Sequence, residues 1–321
     1  MSRRSQNYQD RHDDREDDDE VTYDIKGQLP FTTHNTLEPS QIIKLFESSF
    51  KEVIDSDDLY EHVQTVKGDL FNRDYISAFG DEDRRLAYLA RWTPPRALCY
   101  ASLFSSLTPI VELFKQTETS SNVLCIGGGA AAEYVALCSV FSKLRNSSNS
   151  GDLSLQIIDI ADWSNIISTV EKYIKTYWIL KEEKLKTDFI YDDILKLNTS
   201  NVKYEELDLI TLMFTTNELF AEKRQETIKY LNLLNAKCKT GSLLLIAESA
   251  GSFSNITIGT KKFPVQFLID MILVGKQGSN SGPWEIVEES ESCWYRVNTK
   301  EVNYALKMEN MRFFYRLYRK K

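Results

Sequence analysis

The chain has 321 residues, 42 % of them hydrophobic, and a formal net charge of −8, enough for one large domain or two modest ones. Residues 10–20 hold eight acids against two arginines, so the rest of the chain is only mildly acidic, which neither requires nor excludes a nucleic-acid partner. The histidines are His12, His34 and His62, which argues against Ser-His-Asp hydrolysis or a histidine-ligated metal farther along.

Residues 1–20 read as a disordered acidic tail, charged and without apolar period. Residues 21–115 read as a helical cap. In EPSQIIKLFESSFKEVI, Ile42, Ile43, Phe46, Phe50, Val53 and Ile54 share one helical face, with Ser40 as the cap. Helices are expected at 58–72 and 82–91, then an extended break at Pro94-Pro95 and another helix. From 116 to 321, strands and helices alternate: strands at 123–126, 154–159, 187–191, 207–213 and 242–248, helices at 130–144, 163–181, 194–204 and 220–237. Such alternation implies an α/β parallel sheet covered on both faces. Segments 145–152 and 275–284 read as loops, and WEIVEESESCWYRV and NMRFFYRLYRK as a terminal antiparallel pair.

No apolar signal core opens the chain, and VQFLIDMILV is too short to span a bilayer. The five cysteines, Cys99, Cys125, Cys138, Cys238 and Cys293, are far apart and have no zinc-ligand spacing. The expectation is a monomer without metal or membrane partner, in the nucleus, nucleolus or cytoplasm and not secreted.

The stretch NVLCIGGGAAAEYVAL (122–137) reads as a strand, a tight turn and a helix whose N-terminus faces a nucleotide. Gly127, Gly129 and Ala132 match the dinucleotide pattern G-x-G-x-x-A. Gly127, Gly129 and Ala131 equally match the G-x-G-x-G/A turn of S-adenosylmethionine enzymes. Three features favour the methyl donor. Asp159 ends the second strand, where it can accept both ribose hydroxyls. Asp192 and Asp193 follow the third strand, where an acid can take the adenine amino group. The terminal antiparallel pair marks the seven-stranded class I methyltransferase sheet, a Rossmann-like fold. The blander roles are helix capping for Asp159 and turn or N-cap acids for Asp192 and Asp193. Cys125 stands where many such enzymes carry an acid.

The pieces RWTPPRALCY, VLCIGGGAAAEYVAL, IIDIADW, TLMFTTNELF, LLLIAESAGSFSNITIGTKKFPVQFLIDMIL, SCWYRV and ENMRFFYRLYRKK resemble the fungal 25S rRNA (uridine-N3)-methyltransferases of the Bmt group. The resemblance runs from about residue 40 to the end. It implies S-adenosylmethionine as donor, an rRNA uridine as acceptor and a role in large-subunit biogenesis.

In such folds the acceptor approaches the carboxyl ends of strands four and five. Those ends carry Thr215, Thr216, Asn217 and Glu218, and Glu248, Ser249, Ser252 and Ser254. There is no Asn-Pro-Pro-Tyr-like sequence for an exocyclic amine and no strand-end cysteine for carbon-5 chemistry, so ring-nitrogen or oxygen acceptors remain. Glu248 is the first candidate for base or imide-orienting group, and Asn217 the second. For RNA, Arg312, Arg316, Arg319, Lys320 and Lys321 interleave with or follow four aromatics, with one set expected to face solvent. Arg84, Arg85, Arg91 and Arg96 form a second basic group in the cap, and Lys261 and Lys262 a third in the loop after ESAGS. Arg91 and Arg96 could instead hold the donor's carboxylate. Two readings compete with the rRNA enzyme: a ribosome-assembly factor that keeps the fold without catalysis, and a methyltransferase of another RNA, a protein or a small molecule.

Overall fold

The computed structural model describes residues 27–116, 118–145, 151–179, 181–196, 201–251, 255–258, 261–276, 278 and 281–321. The acidic tail expected at 1–20 lies outside them, as do Ser252 and Ser254.

The N-terminal part is helical: α1 (Pro39–Ser49), α2 (Lys51–Ile54), α3 (Leu59–Phe71), α4 (Tyr75–Ala78), α5 (Glu82–Ser106) and α6 (Thr108–Lys115). Helix α1 starts one residue before the expected Ser40 cap. Pro39, which has no N–H to leave unpaired, takes the first helical position, and the Glu38 N–H donates to Gln41 Oε1 at 3.2 Å.

Helix α5 corrects the expected break at Pro94-Pro95, because it runs through both prolines. Pro94 has no N–H for the carbonyl of Ala90, four residues back. Tyr304 supplies the missing donor, its hydroxyl reaching Ala90 O at 2.8 Å. One residue before the prolines, the Thr93 hydroxyl donates to Ala130 O at 3.0 Å and ties the middle of α5 to the glycine turn.

The remainder is β1 (Ser121–Ile126), α7 (Ala132–Arg145), β2 (Leu153–Asp159), α8 (Ser164–Tyr177), β3 (Leu185–Tyr191), β4 (Leu209–Met213), α9 (Thr216–Glu222), α10 (Arg224–Lys237), β5 (Leu243–Ser249), β6 (Asn255–Ile258), β7 (Lys261–Pro264), α11 (Val265–Leu273), β8 (Trp284–Tyr295) and β9 (Met311–Lys320). Seven strands form one sheet in the order β3-β2-β1-β4-β5-β9-β8. The first five are mutually parallel, and β9 runs antiparallel to both β5 and β8. This is the expected class I sheet with its terminal antiparallel pair. The backbone of Gln28 and Leu29 joins the outer edge of β8, where Leu29 N–H donates to Trp294 O at 2.8 Å.

Three expected elements differ. The helix at 194–204 does not form among the described residues. Residues 194–196 make a turn, and Ile194, Val202 and Tyr204 are buried as separate anchors. The helix at 220–237 is two helices, α9 and α10, broken at Lys223. Lys261 and Lys262 lie in β7, paired with β6, and not in a loop.

Helices cover both faces of the sheet, so its central strands are apolar on both sides. Val123 and Cys125 of β1 face a core shared with Phe46, Leu98, Phe104, Tyr134 and Ile167. Leu124 and Ile126 face a second core with Tyr230, Leu234, Ile269 and Trp284. The cap helices therefore complete the first core. The same layering corrects the reading of β9. Phe313, Tyr315 and Leu317 enter one core, Phe314 and Tyr318 the other, and neither set faces solvent. No single helix among the described residues is long and apolar enough to cross a membrane.

Candidate functional site

At the carboxyl end of the parallel strands lies a cavity of about 960 Å³, roofed by the cap. Its floor is the glycine turn. Gly127 turns the chain out of β1 with φ +71°, and its N–H donates to Ile158 O at 2.8 Å. A Cβ there would run into the Thr215 side chain, and one on Gly129 would enter the Trp163 indole. Packing thus requires both glycines, and at Gly127 the positive φ favours one as well. Ala131 is left-handed too, at φ +68°, and wholly buried. Its carbonyl accepts Val135 N–H at 2.9 Å as α7 begins.

Asp159, at the end of β2, holds this turn in shape. Its Oδ2 accepts Gly129 N–H at 3.0 Å, and its Oδ1 accepts Ala161 N–H at 2.9 Å and the Trp163 indole N–H at 3.0 Å. Burial raises its pKa, and those donors work the other way. Asp159 does not cap α8, the blander role considered for it. Asp192 is exposed at the rim, and its N–H donates to Asp159 O at 3.0 Å. Beside it, Ile160 and Tyr191 are 54 % and 63 % exposed although both line the cavity. Asp193 takes the blander role. Its Oδ2 pairs with Lys223 at 2.5 Å and its Oδ1 caps Leu195 N–H at 3.0 Å. Burial opposes its charge, yet the Lys223 ammonium keeps its pKa low.

The cap contributes Arg96. Its guanidinium lies 5.4 Å from the Tyr88 ring centre and 5.6 Å from that of Phe214, and it bonds the Tyr88 hydroxyl. It lines the cavity without a carboxylate in ion-pairing distance among the described residues. Glu218 and Glu248 act on it only from longer range, which leaves room for an anionic group from a ligand. Across the cavity stand Asn217, Glu218 and Glu248. Glu248 is 3 % exposed. Its Oε2 accepts Asn217 N–H at 3.0 Å and its Oε1 accepts Ser249 N–H at 2.8 Å.

A donor such as S-adenosylmethionine fits these features. Ile160 and Tyr191 offer the unburied apolar surface an adenine would cover, and Asp192 an exposed acceptor at its edge. Arg96 offers a cation to an α-carboxylate, and Asp159 lines the cavity beside the glycine turn. The family described as "Putative SAM-dependent methyltransferase" matches residues 46–319. This chain belongs to that family. It is also 44 % identical to the 25S rRNA (uridine(2843)-N(3))-methyltransferase of Saccharomyces cerevisiae, over 91 % of this chain and 88 % of that one. Among solved structures it is similar to the N-methyltransferase NodS of Bradyrhizobium japonicum in complex with S-adenosyl-l-homocysteine, at 15 % identity and a TM-score of 0.35, covering 68 % of this chain and 87 % of that one. It is also similar to an S-adenosylmethionine-dependent methyltransferase of Clostridium acetobutylicum, at 13 % identity and a TM-score of 0.39, covering 69 % and 91 %.

The methyltransferase does not bring every candidate to its cleft. Arg91 points elsewhere, its guanidinium bonding Glu309 and the Lys307 carbonyl, each at 2.6 Å, which ties the cap to the segment before β9. Arg316 is 3 % exposed and held by Glu291, by Glu289 at 3.1 Å and by Asp270 at 3.6 Å. It is a buried ion-pair centre, not an RNA contact, because β9 is an interior strand. Arg319 pairs across with Leu243, the first residue of β5, whereas Ser249 at the other end of β5 lines the cavity. The basic C-terminus therefore sits about 20 Å from the cleft, six residues along a strand.

Sequence reasoning missed two groups. Glu133 of α7 is buried beneath the turn, its Oε1 accepting the Thr211 hydroxyl at 2.6 Å. It brings a carboxyl next to Cys125, and burial lifts its pKa to about 8. Trp163 fills the space that Gly129 leaves, and no spacing in the sequence links the two. Among the described residues no cluster of histidine, cysteine and acidic side chains is arranged for a metal.

Proposed function

We propose that this methyltransferase transfers the methyl group of S-adenosylmethionine to N3 of a uridine in large-subunit rRNA. The 44 % identity to the yeast enzyme, over nearly the whole of both chains, carries this reading. The cleft is compatible with it. Its acceptor edge holds amide and carboxyl groups, which match the alternating acceptors and donor of a uracil imide. Arg96 and the rim around Asp192 hold the donor, which supplies the electrophilic methyl. Arg73 and the apolar side chains of Phe71 and Ile76, 88 % and 78 % exposed, stand at the mouth where an unpaired RNA segment would pass. On this reading the protein acts as a monomer in the nucleus, nucleolus or cytoplasm, on large-subunit rRNA or its precursor.

The test is nucleoside mass spectrometry of large-subunit rRNA from cells with and without the gene, paired with methylation of the same rRNA by purified protein. N3-methyluridine lost in the first and restored in the second is the expected result. An unchanged nucleoside profile refutes the reading.

A further inference from the structure

The acceptor edge presents carboxyl groups in different states. Both oxygens of Glu248 accept backbone N–H groups, and its side chain is shut away from solvent. It is committed to holding the first turn of α9 against β5. Glu218, one residue past Asn217, is partly exposed and lines the cavity. Its carboxyl makes no hydrogen bond to the described residues. It faces Arg96 from α5, Tyr75 from α4, Tyr88 from α5, Asp159 from β2, Glu248 from β5 and Glu222 from its own helix. A cavity-lining carboxyl with open lone pairs, beside a helix end pinned by Glu248, is free to meet a substrate proton.

We propose that Glu218 is the catalytic base that accepts the N3 proton of the target uridine. This rests on the uridine-N3 reading above. The imide N3–H bond breaks as its proton passes to a Glu218 oxygen. The electron pair left on N3 forms the new N–C bond to the sulfonium methyl, and the C–S bond breaks with its pair going to sulfur. The carboxyl proton then leaves to water, so one proton is released for each methyl transferred. Burial, reinforced by Glu248 and Asp159 and opposed by Arg96, raises the Glu218 pKa to about 8. That strength suits removal of a weakly acidic imide proton near neutral pH. Glu248→Gln would disturb Glu218 only by loosening the turn that carries it.

The experiment is single-turnover methylation of an rRNA fragment by the wild-type protein and Glu218→Gln, from roughly pH 6 to 10. Donor binding is followed by calorimetry and RNA binding by titration. The wild-type rate is expected to rise with pH and level off above about 8. Glu218→Gln is expected to be slower by about 10²-fold or more near neutral pH and to keep rising where the wild type is flat. An RNA carrying the more acidic 5-fluorouridine at the target should restore much of the variant's rate, while donor and RNA affinities stay within about twofold. A variant with wild-type rate overturns the proposal. So does a slow variant that still levels off with the wild type and gains nothing from fluorouridine, or one that loses donor binding. If wild-type protein methylates a different acceptor, as read from the digested nucleosides, the uridine-N3 reading itself falls. That outcome is distinct from an unaffected Glu218→Gln.

Discussion

Glu248 Oε2 accepts the backbone N–H of Asn217 at 3.0 Å, and so joins the end of β5 to the first turn of α9. The contact fixes the acceptor edge from beneath. It also separates two roles that adjacent carboxyls could share. Glu248→Gln turns one acceptor into a donor opposite a backbone N–H. The unfolding free energy should fall by about 1–3 kcal/mol, the cost of leaving a buried donor unpaired. Denaturant titration of wild type and variant would show it. An unchanged midpoint at unchanged slope would mean that this contact contributes nothing to stability.

Gly129→Ala should damage the donor site through Trp163. The added methyl enters the indole, which must swing away from Asp159. Overpacking of this kind costs about 1–3 kcal/mol, and calorimetry should record donor affinity lower by about tenfold or more, the equivalent of ~1.4 kcal/mol. A normal titration would show that the turn relaxes without cost.

Asp159→Ala should cost both stability and donor binding. It leaves Gly129 N–H, Ala161 N–H and the Trp163 indole N–H without their shared acceptor. A lower melting temperature in the absence of donor is the distinguishing observation. A residue used for ribose alone would leave that temperature unmoved.

Glu133 makes stability depend on pH. Its pKa is raised from 4.5 to about 8 in the folded protein by burial. The folded state therefore holds a proton that the unfolded chain has lost. The resulting stabilisation is complete below about pH 4.5 and disappears as pH rises through about 8. Glu218 has a shift of the same sign, so the wild type should weaken across this window. Glu133→Gln keeps an acceptor for Thr211 and cannot ionise. Around pH 8.5 it should be more stable than wild type by ~1–3 kcal/mol, and near roughly pH 5 about equal. Parallel curves for the two proteins would show that Glu133 is ionised in the fold.

RNA binding should be insensitive to the basic C-terminus. Glutamine at Arg319, Lys320 and Lys321 should leave the salt dependence of binding unchanged, because these residues lie at the opposite end of β9 from the cleft. Arg73→Gln, at the cavity mouth, should lower the slope by about 0.7–0.9, one phosphate contact. The reverse pattern would place the RNA on the other end of the sheet.

Local pattern determined much of this protein. A run of four apolar residues, three glycines and a helical repeat is enough to make a strand, turn and helix at residues 123–144. The period of each segment is a property of neighbours in the chain, which is why the parallel sheet, its antiparallel end and the positions of Gly127, Asp159 and Asp192 were legible. Tertiary structure alone decided where a side chain's partner comes from. Pro94 breaks a helix unless some other donor reaches Ala90, and Tyr304 does so from 214 residues away. Arg316 reads as a surface cation until α11 and β8 place Asp270, Glu289 and Glu291 around it. Glu218 and Glu248 are both acids at a strand end or just beyond it. Only the folded chain gives Glu248 two backbone donors and leaves Glu218 facing the cleft, because hydrogen-bond satisfaction and desolvation depend on what lies nearby in space.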